Sequence, residues 1–116
     1  MNETTINFNG DLHFGQKGEN HLKNILESVE VKTDRATHAT GNVAVELEYR
    51  GKPSGLATSN AKYWAFVFAG EYKGEVIILI ERERLKNVVK DGNFRTVYGG
   101  DDMASKLVLI PKEKLL

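Results

Sequence analysis

Residues 29–55, VEVKTDRATHATGNVAVELEYRGKPSG, hold two alternating stretches separated by a loop and closed by a turn cluster. In VEVKTD, Val29, Val31 and Thr33 fall on one face of a strand and Glu30, Lys32 and Asp34 on the other, because successive side chains of an extended chain point to opposite sides. The charged face has two explanations: a solvated strand, or an acid and a lysine placed to share one chemical task. The second stretch, NVAVELEYR, sets Val43, Val45, Leu47 and Tyr49 against Asn42, Ala44, Glu46 and Glu48. RATHATG between them reads as a loop and GKPSG as a turn.

Upstream, Leu22, Ile25 and Leu26 have the spacing of one helix face and predict a helix over about 16–27, entered at Asp11 or Gly18, after a loose start over residues 1–10. Downstream, LATSNAKY offers Thr58 or Ser59 as the cap of a short helix. WAFVFAG and EVIILIE are near-continuous apolar runs, which predict central strands buried on both faces, with GEYKG as a hairpin turn between them. RERLKNVVKD reads as a helix stopped by Gly92, and FRTVYGG with KLVLIPKEKLL as a last strand pair around GGDDMAS. The expected fold class is therefore α/β or α+β: one domain over 1–116, with a central mixed β-sheet flanked by two or three helices.

At 116 residues the chain can bury a core without covalent staples. The absence of cysteine excludes a disulfide framework and thiolate metal sites, and fits a reducing cytoplasm. No apolar run is long enough to span a bilayer and MNETTINFNG does not read as a signal peptide, so the expected location is cytoplasmic. Net charge is zero, which gives no whole-chain argument for nucleic acid. Its distribution is uneven: residues 1–34 hold six acids against three lysines, and residues 82–95 hold five bases against Glu83 and Asp91. An acidic pole beside a basic one suits a metal site next to a phosphate track, and charged outer helix faces produce the same pattern.

Acid-x-Lys is a weak signal by itself, since chance placement gives roughly one or two such triplets in a chain of this composition. There are two, Glu30-Val31-Lys32 and Glu71-Tyr72-Lys73, and the second falls in an expected turn. The first lies on a strand directly after a helix that carries Glu19. Phosphodiester hydrolysis needs a hard divalent cation on carboxylate and carbonyl oxygens, a nearby water and compensation of developing charge. Glu30 and the Val31 carbonyl suit the metal, Lys32 the water and the charge, and Glu19 a further carboxylate. His13, His21 and His38 lack paired metal spacing and read as loop or surface residues. Gly41, Gly51, Gly55, Gly99 and Gly100 fall at predicted turns, and GGDD lacks the strand–helix context of a phosphate loop. In KPSGLATSNAKYW, the candidate DNA contacts are Lys52, Ser54, Thr58, Ser59 and Lys62; the hydroxyls serve equally as caps, and Tyr63 and Trp64 as the start of a core strand.

The succession FGQKGE, VEVKTD, TGNVAVELEYRGKPSG, ATSNAKYWAF and YGGDDMAS…LIP resembles small, mostly phage-encoded PD-(D/E)xK nucleases related to archaeal-type Holliday junction resolvases, from about Asp11 to the end. The resemblance implies a restriction-endonuclease-like αβββαβ core binding Mg²⁺, with Mn²⁺ as a substitute. It also implies hydrolysis of DNA by metal-activated water and, for the resolvase-like members, homodimers on branched DNA in the host cytoplasm. Glu19 would match the first-helix acid, Glu30 the motif acid and Lys32 its lysine. The family's preceding aspartate has no counterpart, since only NILES separates the helix from Val29. Glu27, Asp34 and Glu46 are the acids that would replace it as a metal ligand, and loss of catalysis with retained DNA binding is the alternative.

Overall fold

Two apolar stretches, YWAFVF and SKLVLIP, give the molecule its two inner faces. The computed structural model describes residues 8–34, 40–68 and 76–116. They form α1 (Phe8–Leu26), β1 (Val29–Asp34), β2 (Asn42–Tyr49), β3 (Lys52–Pro53), a 3-10 turn (Gly55–Ala57), β4 (Tyr63–Phe68) and β5 (Val76–Glu81). After these come α2 (Arg82–Gly92), β6 (Thr96–Gly99), a 3-10 turn (Asp101–Met103), β7 (Ser105–Pro111) and a final 3-10 turn (Lys112–Leu115). The class is α+β. Among the described residues, no helix is long and apolar enough to cross a membrane.

The strands make two sheets where the sequence reading expects one. A three-stranded sheet has the order β1-β4-β5, and a four-stranded antiparallel sheet the order β3-β2-β7-β6. In the first, β1 runs parallel to β4, pairing Glu30 with Trp64 and Lys32 with Phe66, while β5 returns antiparallel. The two alternating stretches of residues 29–55 thus enter different sheets. The core fills the space between their inner faces: Trp64, Phe66, Phe68 and Ile80 from one, Val43, Val45, Val108 and Ile110 from the other, closed by Leu56, Leu85 and Leu115.

Local chemistry explains each departure from expectation. β5 meets the core on one face only, through Val76, Ile78 and Ile80, and on its other face Ile77 and Leu79 stay exposed among the described residues. Helix α1 starts at Phe8, and thus takes in part of the expected loose segment. No helix follows Thr58; the turn over Gly55–Ala57 comes instead, with Ser54 extended before it and Thr58 after it. Arg50 and Gly51 both have positive φ (49° and 79°), the requirement of a two-residue type I′ hairpin turn joining β2 to β3. A bulge between Glu46 and Glu48 breaks the β2 alternation, which is why Tyr49 is exposed instead of joining Val43 and Val45 inside. α2 ends at Gly92, where the Phe94 ring occupies the space of a side chain, and Asn93 takes the left-handed conformation. The last strand pair is present as β6 and β7, with Gly99 inside β6 and not in a turn. Most of RATHATG, including His38, and all of GEYKG, including Glu71 and Lys73, lie outside the described residues.

Candidate functional site

Strand β1 presents its charged face to the same side of the sheet as Trp64 and Phe66, the side that carries the core. Charge is tolerated there because β1 is the sheet edge, where side chains reach solvent. Lys32 Nζ lies 3.8 Å from Glu30 Oε1, with the side chains 50% and 44% exposed. Lys32 Nζ also stands 5.7 Å from the centroid of the Trp64 ring, within cation–π range. An ion pair this exposed is worth about 0–1 kcal/mol, so it opens easily to an incoming phosphate or water.

The floor of this pair is fixed by hydrogen bonds. The Trp64 indole N–H donates to Ser59 Oγ (3.1 Å), and the Ala61 N–H donates to the same oxygen (3.2 Å). Arg82 Nη1 donates to the Ser59 carbonyl at 2.8 Å, and the Arg82 amide to the Lys62 carbonyl at 2.9 Å. Ser28 ties the start of β1 to β4, accepting from the Lys62 amide on its hydroxyl (3.1 Å) and from the Tyr63 amide on its carbonyl (3.2 Å). Lys62 and Arg82 are therefore held at the end of the sheet where Glu30 sits.

The other predicted residues are dispersed. Glu19 is exposed on α1, about 10 Å of helix rise before its end, and among the described residues no hydrogen bond or ion pair joins it to Glu30. Glu27 is exposed in the α1–β1 turn. Val31 points its side chain to the opposite face from Glu30 and pairs with Ala65. Asp34 pairs with Phe68 in register, and its side chain lies outside the described set, as does that of His13. His21 is exposed on α1. Glu46 belongs to the other sheet, where its carboxylate accepts from Ser105 Oγ on Oε1 (2.6 Å) and from Ser54 Oγ on Oε2 (3.0 Å). Both oxygens are engaged, which makes Glu46 a structural clamp. Of the expected DNA contacts, Lys52, Thr58 and Lys62 are exposed, whereas Ser54 is held by Glu46 and Ser59 by Trp64.

A divalent ion needs several oxygen donors converging on one point. Among the described residues, no group of three or more His, Cys, Asp or Glu side chains is placed to hold one. Glu30 has a lysine as its charged neighbour, and the two form an exposed ion pair. A cleft of about 460 Å³ between α2 and the final turn, lined by Arg84, Asn87, Phe94 and Lys114, contains none of the predicted residues. Sequence reading missed Trp64, Ser28 and Ser105 as partners of the candidate residues; each is brought in by strand register, for which no local motif exists. No family model matches the chain, and neither a curated protein nor a solved structure matches it.

Proposed function

We propose that this chain is a PD-(D/E)xK-type DNA endonuclease with a restriction-endonuclease-like core, resolvase-like in preferring branched DNA, and working in the cytoplasm. The observation that carries the reading is the Glu30–Lys32 pair: an acid and an amine 3.8 Å apart on one strand face, both half exposed, beside an indole. Lys32 offers a cation to the scissile phosphate and offsets charge in the transition state. Glu30 holds Lys32 in place and would offer a carboxylate to a Mg²⁺ or Mn²⁺ ion, which would supply activation of the attacking water. Lys62 and Arg82, at the same end of the sheet, extend the cationic ground along which a phosphate backbone would run. The entry of α1 directly into β1 and the mixed sheet around β4 are what support the core; the placing of β2 in a second sheet departs from the order the resemblance implies.

One observation favours a second reading. Glu46 is committed to two serines and, among the described residues, Glu30 belongs to no group of three or more potential metal ligands, as expected of a nuclease-fold module that binds DNA with weakened catalysis. The deciding experiment uses labelled four-way junction, flap and linear duplex DNA with Mg²⁺ or Mn²⁺, for wild type, Glu30→Ala and Lys32→Ala. The endonuclease reading expects metal-dependent cutting, strongest on the junction, and a loss of at least about a hundredfold in both variants. Binding without cutting establishes the second reading. Cutting that both variants retain removes the assigned site altogether.

A further inference from the structure

We propose that the cleft between α2 and the final 3-10 turn binds a guanosine 5′-phosphate unit, with the phosphate at Arg84 and Lys114 and the base edge at Asp91. The proposal does not rest on the nuclease reading, since the lining of the cleft among the described residues holds neither Glu30 nor Lys32. Its volume of about 460 Å³ lies within the roughly 300–1,000 Å³ of small-ligand sites.

The chain builds this cleft from three directions. Arg84, Asn87, Val88 and Asp91 line it from α2, and their i, i+3, i+4 and i+7 spacing places them on one stripe of the helix. Fully buried Leu85 holds the neighbouring side of that helix in the core. The final turn supplies Lys114, and it is pinned twice: Leu115 is buried, and Arg84 Nη2 donates to the Leu116 carbonyl at 3.0 Å. That bond keeps Arg84 and Lys114 at the same end of the cleft. Gly92 shapes the floor, because a Cβ there would fall on the Phe94 ring, so glycine lets the ring fold back against the helix end. Phe94 and Val88, both packed on the core, give the cleft its apolar surface.

These groups ask for a ligand with different chemistry at its two ends. Two cations suit a phosphate, to which the guanidinium can offer two parallel donors. Two helical turns on, about 10 Å along the axis, Asp91 offers acceptors only. The helix dipole reinforces this polarity: its negative end lies near Asp91, where N–H donors are favoured and a phosphate is not. Between the ends, Phe94 and Val88 suit a flat ring. A nucleotide carries these groups in this order. Among the bases, guanine presents two adjacent donors, N1–H and the N2 amine, which match the two oxygens of one carboxylate. Adenine, cytosine and uracil each turn an acceptor toward it beside their donor. Asn87, between Arg84 and Asp91 on the stripe, brings a donor and an acceptor to the sugar hydroxyls.

Calorimetric titration of the full chain tests this with guanosine 5′-monophosphate, inosine 5′-monophosphate, guanosine and inorganic phosphate. Guanosine monophosphate is expected to bind with a Kd below about 1 mM, and each of the other probes at least about tenfold more weakly. Asp91→Asn should abolish the preference over inosine monophosphate, which lacks the N2 amine. Lys114→Ala should weaken the nucleotide roughly tenfold and leave guanosine unaltered. Both positions are exposed, and circular dichroism checks the fold; should either variant unfold, the ranking of the probes on wild type decides alone. An oligonucleotide with a 5′-phosphorylated guanosine identifies the source of the unit. Binding tighter than that of the monophosphate assigns the site to a strand end, equal or weaker binding to the free nucleotide, and both uphold the proposal. No saturable binding of guanosine monophosphate up to about 10 mM overturns it. So does phosphate alone binding as well as the nucleotide, or a guanine preference that Asp91→Asn leaves intact.

Discussion

Replacing Ser105 by alanine isolates the strongest polar contact of the second sheet. Ser105 is buried and its Oγ lies 2.6 Å from Glu46 Oε1, a short charge-assisted bond. Hydrogen bonds to charged groups contribute about 1.5–3 kcal/mol. Glu46 is half-buried and keeps the 3.0 Å bond from Ser54, so water and one hydroxyl still serve its carboxylate, and the expected loss is about 2 kcal/mol. With a urea m-value of about 1.5 kcal/mol/M for a domain of this size, the midpoint should fall by about 1.3 M. Urea unfolding is followed by circular dichroism at one fixed protein concentration, because any dimerisation makes the midpoint depend on concentration. Glu46→Gln and the double variant complete the cycle, with an expected coupling of at least about 1 kcal/mol. A loss below about 0.5 kcal/mol, or strict additivity with Glu46→Gln, would refute the assignment of Glu46 as a clamped structural carboxylate and return it to the candidate metal ligands.

Two further substitutions probe the same framework. Gly55→Ala combines a φ of +55° with a Cβ that lands on the Glu46 carbonyl oxygen, so a loss of more than about 3 kcal/mol in the same urea assay is expected, and a neutral result would mean that the turn relaxes freely. Ser59→Ala strands the buried indole N–H of Trp64, and should lower stability by about 1–3 kcal/mol and shift the emission of the chain's sole tryptophan; unchanged emission would place Trp64 outside this bond.

The elements were legible where period and punctuation are local. The Leu22, Ile25, Leu26 spacing marks α1, Gly92 ends α2, and KLVLIP pairs with TVYG as the alternation predicts. What pairs with what was not legible. VEVKTD and NVAVELEY look like neighbours by order and pattern, yet β1 takes β4 and β2 takes β7, because parallel and antiparallel partners are chosen by the total apolar area closed between the sheets. The site divides in the same way. Glu30 and Lys32 come together because i and i+2 share a face, a local rule, whereas Trp64 beneath them and Ser105 against Glu46 depend on residues 32 and 59 positions away.

The orientation of β1 decides which of its faces meets the core. Binary patterning would turn Val29 and Val31 inward and Glu30 and Lys32 to water. The structure does the reverse: the charges share the side of Trp64, and Val31 faces outward. At a sheet edge the reversal costs little for the charges, which stay half in solvent and lean on the indole. It costs more for the valine, whose exposure yields nothing unless something covers it. A pairing shifted by one residue would have buried Val31 and freed Glu30 and Lys32, since a one-residue slip exchanges the faces of a strand. An exposed charged pair held against a tryptophan on one side of β1 and an apolar outward face on the other are therefore two consequences of one register. A charge introduced on the outward face, as in Val31→Glu, leaves the register intact and should therefore leave the Lys32–Trp64 contact, read by the emission of Trp64, unchanged.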